Sequence, residues 1–212
     1  MFDAIAPRYE LVNHLLTLNM DRRWRRRAVE DLQLAPASLV LDVATGTGDF
    51  GRELVRHEMC AVGVDLSFGM LTAGDVSFPL VQANAVSLPF LAASFDGVTC
   101  GYALRNFTDL EGSLSEMARV LRPGGRMSLL EVAEPTGRFL RWGFRIWFRH
   151  IVPCIGSLLS DRSAYRYLPA STAYLPESND VTAMLSRVGF TDVDHRMILG
   201  GLSQQFVATR RP

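Results

Sequence analysis

The chain has 212 residues and a mass of 23.5 kDa, enough to bury one sizeable core and too short for two large domains joined by a linker. Its 22 basic and 22 acidic residues cancel, and 21% charged with 48% hydrophobic residues is ordinary globular usage, so no global charge argues for nucleic acid. Every basic residue other than histidine is an arginine; without a lysine, a Walker-type phosphate loop, Schiff-base catalysis and a Tyr-x-x-x-Lys dehydrogenase are excluded.

Cys60, Cys100 and Cys154 are widely spaced and form no Cys-x-x-Cys pair, so neither a disulfide framework nor a zinc site is expected and no metal is called for. A reducing cytoplasm fits that usage. Asp3, Arg8 and Glu10 stand where a signal peptide would need an apolar run, and no apolar stretch approaches the ~20 residues of a membrane span. The expectation is a protein neither exported nor membrane-spanning.

Residues 1–35 read as a helical cap, with Leu11, Leu15, Leu16 and Leu18 on apolar spacing and Asp21 as the N-cap before Trp24, Val29 and Leu32; Pro36 ends it. Strands and helices then alternate. Leu39–Val43 is a buried strand, Asp49–His57 a helix, Cys60–Val64 a strand, and Ser67 caps a short helix. Leu80–Gln82, Gly97–Cys100 and Met127–Val132 are further strands. Thr108-x-x-Glu111 is a capping box opening a helix that ends near Leu121, and Pro123-Gly124-Gly125 turns the chain into the next strand. Val181–Val188 reads as a helix, and Val193–Leu199 and Gln205–Thr209 as strands joined by a Gly-Gly turn. The alternation predicts an α/β fold with a parallel sheet. We expect one domain over 1–212: the cap at 1–35, a cofactor-binding core at 36–135, a substrate-side helical insert at 136–176, and a C-terminal helix and strand pair at 177–212.

Gly46-Thr47-Gly48-Asp49-Phe50-Gly51 matches G-x-G-x-x-G between a strand and a helix. Such a loop lets backbone approach a ligand, and the helix N-terminus behind it favours an anion, whether a pyrophosphate or an amino-acid carboxylate. Asp42, at the strand end, would repel pyrophosphate but suits an ammonium. S-adenosylmethionine carries an ammonium, a carboxylate, a ribose diol and a sulfonium, and so fits better than a dinucleotide. Asp65, closing the second strand, is placed to accept from both ribose hydroxyls; Asn84 and Ala85, after the third, are placed to read an adenine edge. The plainer alternatives are a turn or cap carboxylate for Asp42, a loop residue for Asp65 and a turn residue for Asn84.

The remaining segments resemble the ubiquinone/menaquinone biosynthesis C-methyltransferase family, of the demethylmenaquinone methyltransferase type, within the class I S-adenosylmethionine-dependent methyltransferases. The likeness runs along nearly the whole chain. It rests on Phe2-Asp3-Ala4-Ile5-Ala6-Pro7-Arg8-Tyr9 with Asn13 and Trp24, on Gly101-Tyr102-Ala103-Leu104-Arg105-Asn106-Phe107-Thr108-Asp109, and on Tyr165-Arg166-Tyr167-Leu168-Pro169-Ala170-Ser171. It implies a Rossmann-like, doubly wound, seven-stranded sheet, mostly parallel, with an antiparallel last strand and helices on both faces. By it Thr47, Asp65, Asn84, Ala85 and Gly101 contact the cofactor, Gly46 and Gly48 shape the loop, and Asp42 lies near the amino group. Ala44 replaces the first glycine of the general methyltransferase loop, and Gly101 stands where some relatives carry serine.

The implied reaction moves a methyl group from S-adenosylmethionine to a ring carbon of a prenylated hydroquinol, demethylmenaquinol to menaquinol, and leaves S-adenosylhomocysteine. A reduced acceptor is required because its phenolate pushes charge onto the ortho carbon. Arg105 is the first candidate beside that phenolate, with a surface or capping arginine as the alternative; Asn106, Tyr165 and Tyr167 are candidates to orient the ring, and His14 is more naturally an ordinary helix histidine. A ubiquinone precursor or another phenol stays open as acceptor. A nicotinamide oxidoreductase follows the glycine match alone, against Asp42 and the missing lysine, and a silent binding module runs against the intact cofactor residues.

A prenylated acceptor lives in a bilayer. In 138–151, Arg138, Arg141, Arg145 and Arg149 share a helical face, with Phe139, Ile146, Trp147 and Ile151 away from it. That is a basic amphipathic helix, suited to transient contact with the inner face of the membrane or to a lid, and equally to covering a core. Arg22, Arg23, Arg25, Arg26 and Arg27 read as a solvated face. The oligomeric state is left open.

Overall fold

A computed structural model describes residues 19–133, 135, 137 and 175–212. The elements in chain order are α1 (Met20–Glu30), β1 (Leu39–Val43), α2 (Asp49–Arg56), β2 (Cys60–Asp65), α3 (Phe68–Ala73), β3 (Leu80–Gln82) and β4 (Phe95–Gly101). A 3-10 turn (Leu104–Asn106), α4 (Leu110–Val120), β5 (Leu121–Val132), α5 (Ser178–Arg187), β6 (Phe190–Ile198) and β7 (Ser203–Arg210) follow.

The seven strands form one sheet in the order β3-β2-β1-β4-β5-β7-β6. β3, β2, β1, β4 and β5 pair in parallel, and β7 runs antiparallel to both β5 and β6. This is the Rossmann-like, doubly wound sheet with an antiparallel final strand. β1 reads Leu-Val-Leu-Asp-Val with no polar alternation because both of its faces are covered. Val40 packs with Ala28 and Val29 of α1, Leu32 just after it, and Phe50 and Leu54 of α2, whereas Leu41 and Val43 pack with Leu114 and Met117 of α4 and Val181 and Leu185 of α5. Helices therefore bury both faces. Arg126 ties the end of α1 to β5, donating to the carbonyls of Asp31 at 3.2 Å and Leu32 at 3.3 Å.

Three local expectations are corrected. α1 begins at Met20 behind Asn19, so Asp21 lies in the first turn and accepts from Arg25 Nη1 at 2.5 Å instead of capping. α4 is capped by Asp109 and not Thr108, its carboxylate accepting from Gly112 N–H at 2.8 Å; glycine at 112 leaves room for that approach. β5 starts at Leu121, and its pairing with β4 jumps from Phe95↔Leu121 to Gly97↔Arg126. Pro123-Gly124-Gly125 thus forms a bulge within a strand, with Gly124 at φ +77°, and not a turn ahead of one. Ser67 caps α3 as expected, its Oγ accepting from Met70 N–H at 3.2 Å. The insert at 136–176 lies almost wholly outside the described residues.

Candidate active site

β1, β2, β3 and β4 end at one edge of the sheet, and the loops leaving them enclose a cavity of about 370 Å³, within the range of small-molecule sites. Its wall takes Ala44 to Thr47 after β1, Asp65 to Ser67 after β2, Ala83 to Val86 after β3 and Gly101 to Ala103 after β4, with Asn106, Phe107 and Arg25 closing it.

The first loop depends on left-handed backbone. Ala44, Gly46 and Gly48 take φ of +54°, +58° and +92°. At Gly48 a Cβ would also run into Val76, which explains that glycine without any contact to a ligand, since Gly48 is not in the cavity wall. Gly46 and Thr47 are.

Asp42 is tied into the fold by its side chain. It underlies the cavity, but its side chain is 0% exposed. Oδ2 accepts from Thr45 Oγ1 at 2.6 Å and from Gly51 N–H at 3.2 Å, and Oδ1 accepts from Thr99 Oγ1 at 2.9 Å. The carboxylate thereby ties the loop, the first turn of α2 and β4 together. Burial pushes its pKa up to about 6, against the opposing effect of Thr45, Thr99, Arg25 and Gly51. These contacts are those of the turn or cap carboxylate that the sequence also offered, at a residue that lines the cavity.

Asp65 lies half-buried at the cavity edge. Its Oδ2 accepts from Gly46 N–H and its Oδ1 from Ser67 N–H, each at 2.8 Å, so one carboxylate joins the loops after β1 and β2. A carboxylate offers about four acceptor sites, so this fixed orientation is compatible with a vicinal diol. Asn84 is both a turn residue and part of the wall: Oδ1 accepts from Val86 N–H at 3.3 Å and its carbonyl from Ser87 N–H at 3.0 Å, with Ala85 beside it. A Cβ at Gly101 would stand 2.9 Å from Phe50 Cδ2, so packing against that ring accounts for the glycine.

Of the acceptor-side candidates, Asn106 lines the cavity and Arg105 does not. The Arg105 guanidinium is buried in an ion pair with Glu131, which is 0% exposed, and the Arg105 N–H donates to the same carboxylate at 3.2 Å. β5 places a buried carboxylate beneath this guanidinium and anchors it in the core. Tyr165, Tyr167 and the segment 138–151 lie outside the described residues.

Three wall residues were missed by the sequence reading. Arg25 is 8% exposed, while Arg22, Arg23, Arg26 and Arg27 of the same run are exposed. It donates to Asp21, pairs with Asp49 Oδ2 at 3.3 Å, and sets its guanidinium carbon 5.7 Å from the centre of the Tyr102 ring. Burial opposes its charge, yet Asp49, Tyr102 and Asp21 together leave its pKa raised. A signal was present: Arg25 shares the i, i+3, i+4, i+7 stripe of Ala28, Val29 and Leu32. Asp49 also accepts from Arg52 Nη2 at 2.7 Å. Tyr102 holds φ +59°; its hydroxyl is buried without a hydrogen bond among the described residues, and that burial pushes its pKa up to about 12 against the opposing charge of Arg25.

The cavity thus offers donors at a helix N-terminus, an oriented carboxylate after the second strand, an amide after the third and an ion pair between the buried Arg25 and the half-buried Asp49. Those groups suit a nucleoside bearing a zwitterionic arm. The chain is 42% identical to the "Ubiquinone/menaquinone biosynthesis C-methyltransferase UbiE" of Syntrophotalea carbinolica, over 95% of this chain and 89% of that one. It is 40% identical to the "Demethylmenaquinone methyltransferase" of Deinococcus radiodurans, over 100% and 91%. Among solved structures, the complex of the Haloferax volcanii Trm112 methyltransferase activator with a methyltransferase contains a chain matched at a TM-score of 0.69 and 18% identity, over 100% of this chain and 98% of that one, a likeness of fold. The model of the ubiE/COQ5 methyltransferase family matches residues 1–210, and the chain belongs to that family.

Proposed function

We propose that this protein transfers the methyl group of S-adenosylmethionine to a ring carbon of a prenylated hydroquinol, with demethylmenaquinol as the acceptor. The carrying observation is the Asp65 carboxylate, held by Gly46 N–H and Ser67 N–H at the edge of a cavity of about 370 Å³. In this reading Asp65 accepts from the ribose hydroxyls, Asn84 and the Ala85 backbone take the adenine edge, and Gly46, Thr47 and Gly101 admit the rest through close backbone approach. The bound cofactor supplies an activated methyl group on its sulfonium, so the protein's work is alignment and exclusion of water.

The acceptor enters beside Asn106 and Phe107 in its reduced form, because only a phenolate pushes electron density onto the ortho carbon. Asn106 orients the ring, together with Tyr165 and Tyr167 of the insert; Arg105 acts through position, its ion pair with Glu131 holding the 3-10 turn that carries Asn106. The arginine-rich segment 138–151, which the sequence patterns as a basic amphipathic helix, meets anionic lipid from the cytoplasmic side, and flotation with vesicles with and without anionic lipid tests that contact. Among the described residues no helix is long and apolar enough to cross a membrane.

Calorimetric titration with S-adenosylhomocysteine and with nicotinamide dinucleotides tests the cofactor class. Binding of the first that is lost in Asp65→Ala supports the reading, and binding of a nicotinamide instead overturns it. Turnover of short-chain demethylmenaquinol against a benzoquinol precursor of ubiquinone then decides the acceptor. The second acceptor stays in view because the Syntrophotalea carbinolica relative is named for both quinones.

A further inference from the structure

We propose that Arg25 and Asp49 form an exchangeable ion pair that recognises the amino-acid arm of the cofactor, Arg25 taking the carboxylate and Asp49 the ammonium. The inference rests on S-adenosylmethionine being the cofactor. Both residues line the cavity beside the glycine loop, and they come from separate elements, Arg25 from the middle of α1 and Asp49 from the first turn of α2.

Their contact is the weakest in a chain of four charges. Asp21 holds Arg25 at 2.5 Å and Arg52 holds Asp49 at 2.7 Å, whereas Arg25 and Asp49 meet at 3.3 Å. Opening the central contact therefore leaves each residue with its tighter partner. That matters because separating a pair largely withdrawn from water is costly chiefly when one charge is stranded. A zwitterion entering between them exchanges one ion pair for two and strands neither charge. The Tyr102 face, 5.7 Å from the guanidinium carbon, keeps Arg25 from swinging away when Asp49 is released. Asp42 competes poorly for the ammonium: it is 0% exposed and already accepts three hydrogen bonds, from Thr45, Gly51 and Thr99, whereas the Asp49 side chain is 20% exposed.

The test compares two ligands in calorimetry: S-adenosylhomocysteine, which has the amino-acid arm, and 5′-methylthioadenosine, which has the same nucleoside thioether without it. Arg25→Met and Asp49→Asn are expected to weaken S-adenosylhomocysteine by about ten- to a hundredfold while methylthioadenosine affinity stays within about twofold. Arg25→Lys, which keeps the charge but not the planar fork, is expected to recover part of the loss. Retained methylthioadenosine binding shows that the variant is folded. Equal loss for both ligands in Arg25→Lys as well as Arg25→Met, or unchanged S-adenosylhomocysteine affinity, overturns the proposal. Wild-type protein that binds neither ligand overturns the cofactor assignment itself, a failure seen before any variant is made.

Discussion

Arg105 and Glu131 form an ion pair across the 3-10 turn after β4 and the end of β5, with Glu131 at 0% and Arg105 at 9% exposure. Glu131 also accepts the backbone N–H groups of Arg105 at 3.2 Å and Val132 at 2.8 Å, so one carboxylate holds the turn against the sheet. Removing one partner of a buried pair costs about 3–5 kcal/mol, whereas replacing both with apolar groups of similar volume costs much less. Arg105→Ala should therefore lower the urea unfolding free energy by about that amount, and Arg105→Met with Glu131→Leu should restore most of it. If Arg105→Ala unfolds like wild type, the pair is not structural. Loss of turnover in that variant is consequently no evidence of contact with the acceptor, for which Asn106→Ala is the cleaner probe.

Asp42 makes stability depend on pH with an unusual sign for a carboxylate. Its folded pKa, raised to about 6, exceeds the ~3.9 of an unfolded aspartate, so the native state holds the proton more tightly. Its contribution is fully present below pH ~4 and is lost as pH rises through about 6, by roughly 2–3 kcal/mol. Asp42→Asn keeps acceptor and donor atoms at the site and cannot ionise. The difference in unfolding free energy between Asp42→Asn and wild type should move in favour of the variant from pH 4.5 to 7.5. A constant difference would show that Asp42 does not titrate in that window.

Ala44 occupies left-handed backbone at φ +54°, where a Cβ costs roughly 1–2 kcal/mol and glycine costs none. Glycine loses about 0.5–1 kcal/mol more chain entropy on folding. The balance predicts that Ala44→Gly is neutral to stabilising by up to about 1 kcal/mol in a urea melt, unlike the destabilisation usual for an added glycine. A clear loss would mean that the Ala44 methyl packs usefully in the cavity wall.

Gly101 and Phe50 should couple. A serine Cβ at 101 meets the Phe50 ring at 2.9 Å, and overpacking of this kind costs about 1–3 kcal/mol. Gly101→Ser should lower the melting temperature in wild type and do so less in a Phe50→Leu background. A double-mutant cycle measures that difference, and additivity within about 0.3 kcal/mol would remove the packing explanation.

Much of the architecture was legible because it is written in local patterns. The largely apolar β1, the Ser67 cap and the Gly200-Gly201 turn each follow from chemistry within a few residues, and all are found where expected. Where two local readings compete, the structure chose: Asp109 outbids Thr108 as cap because Gly112 lets its carboxylate close in, and Pro123-Gly124-Gly125 is absorbed into β5 as a bulge because Leu121 already pairs with Phe95.

By itself the sequence determined the α/β alternation, the glycine loop and the carboxylate that ends the second strand, since helix and strand periods and turn residues act over short range. Only the tertiary structure decided the partners of the charged groups. Asp42, Arg105 and Arg25 owe their roles to what other elements bring beside them: Thr99 from β4, Glu131 from β5 and Asp49 from α2. A charge removed from water is governed by its nearest neighbours in space, and those neighbours lie far along the chain.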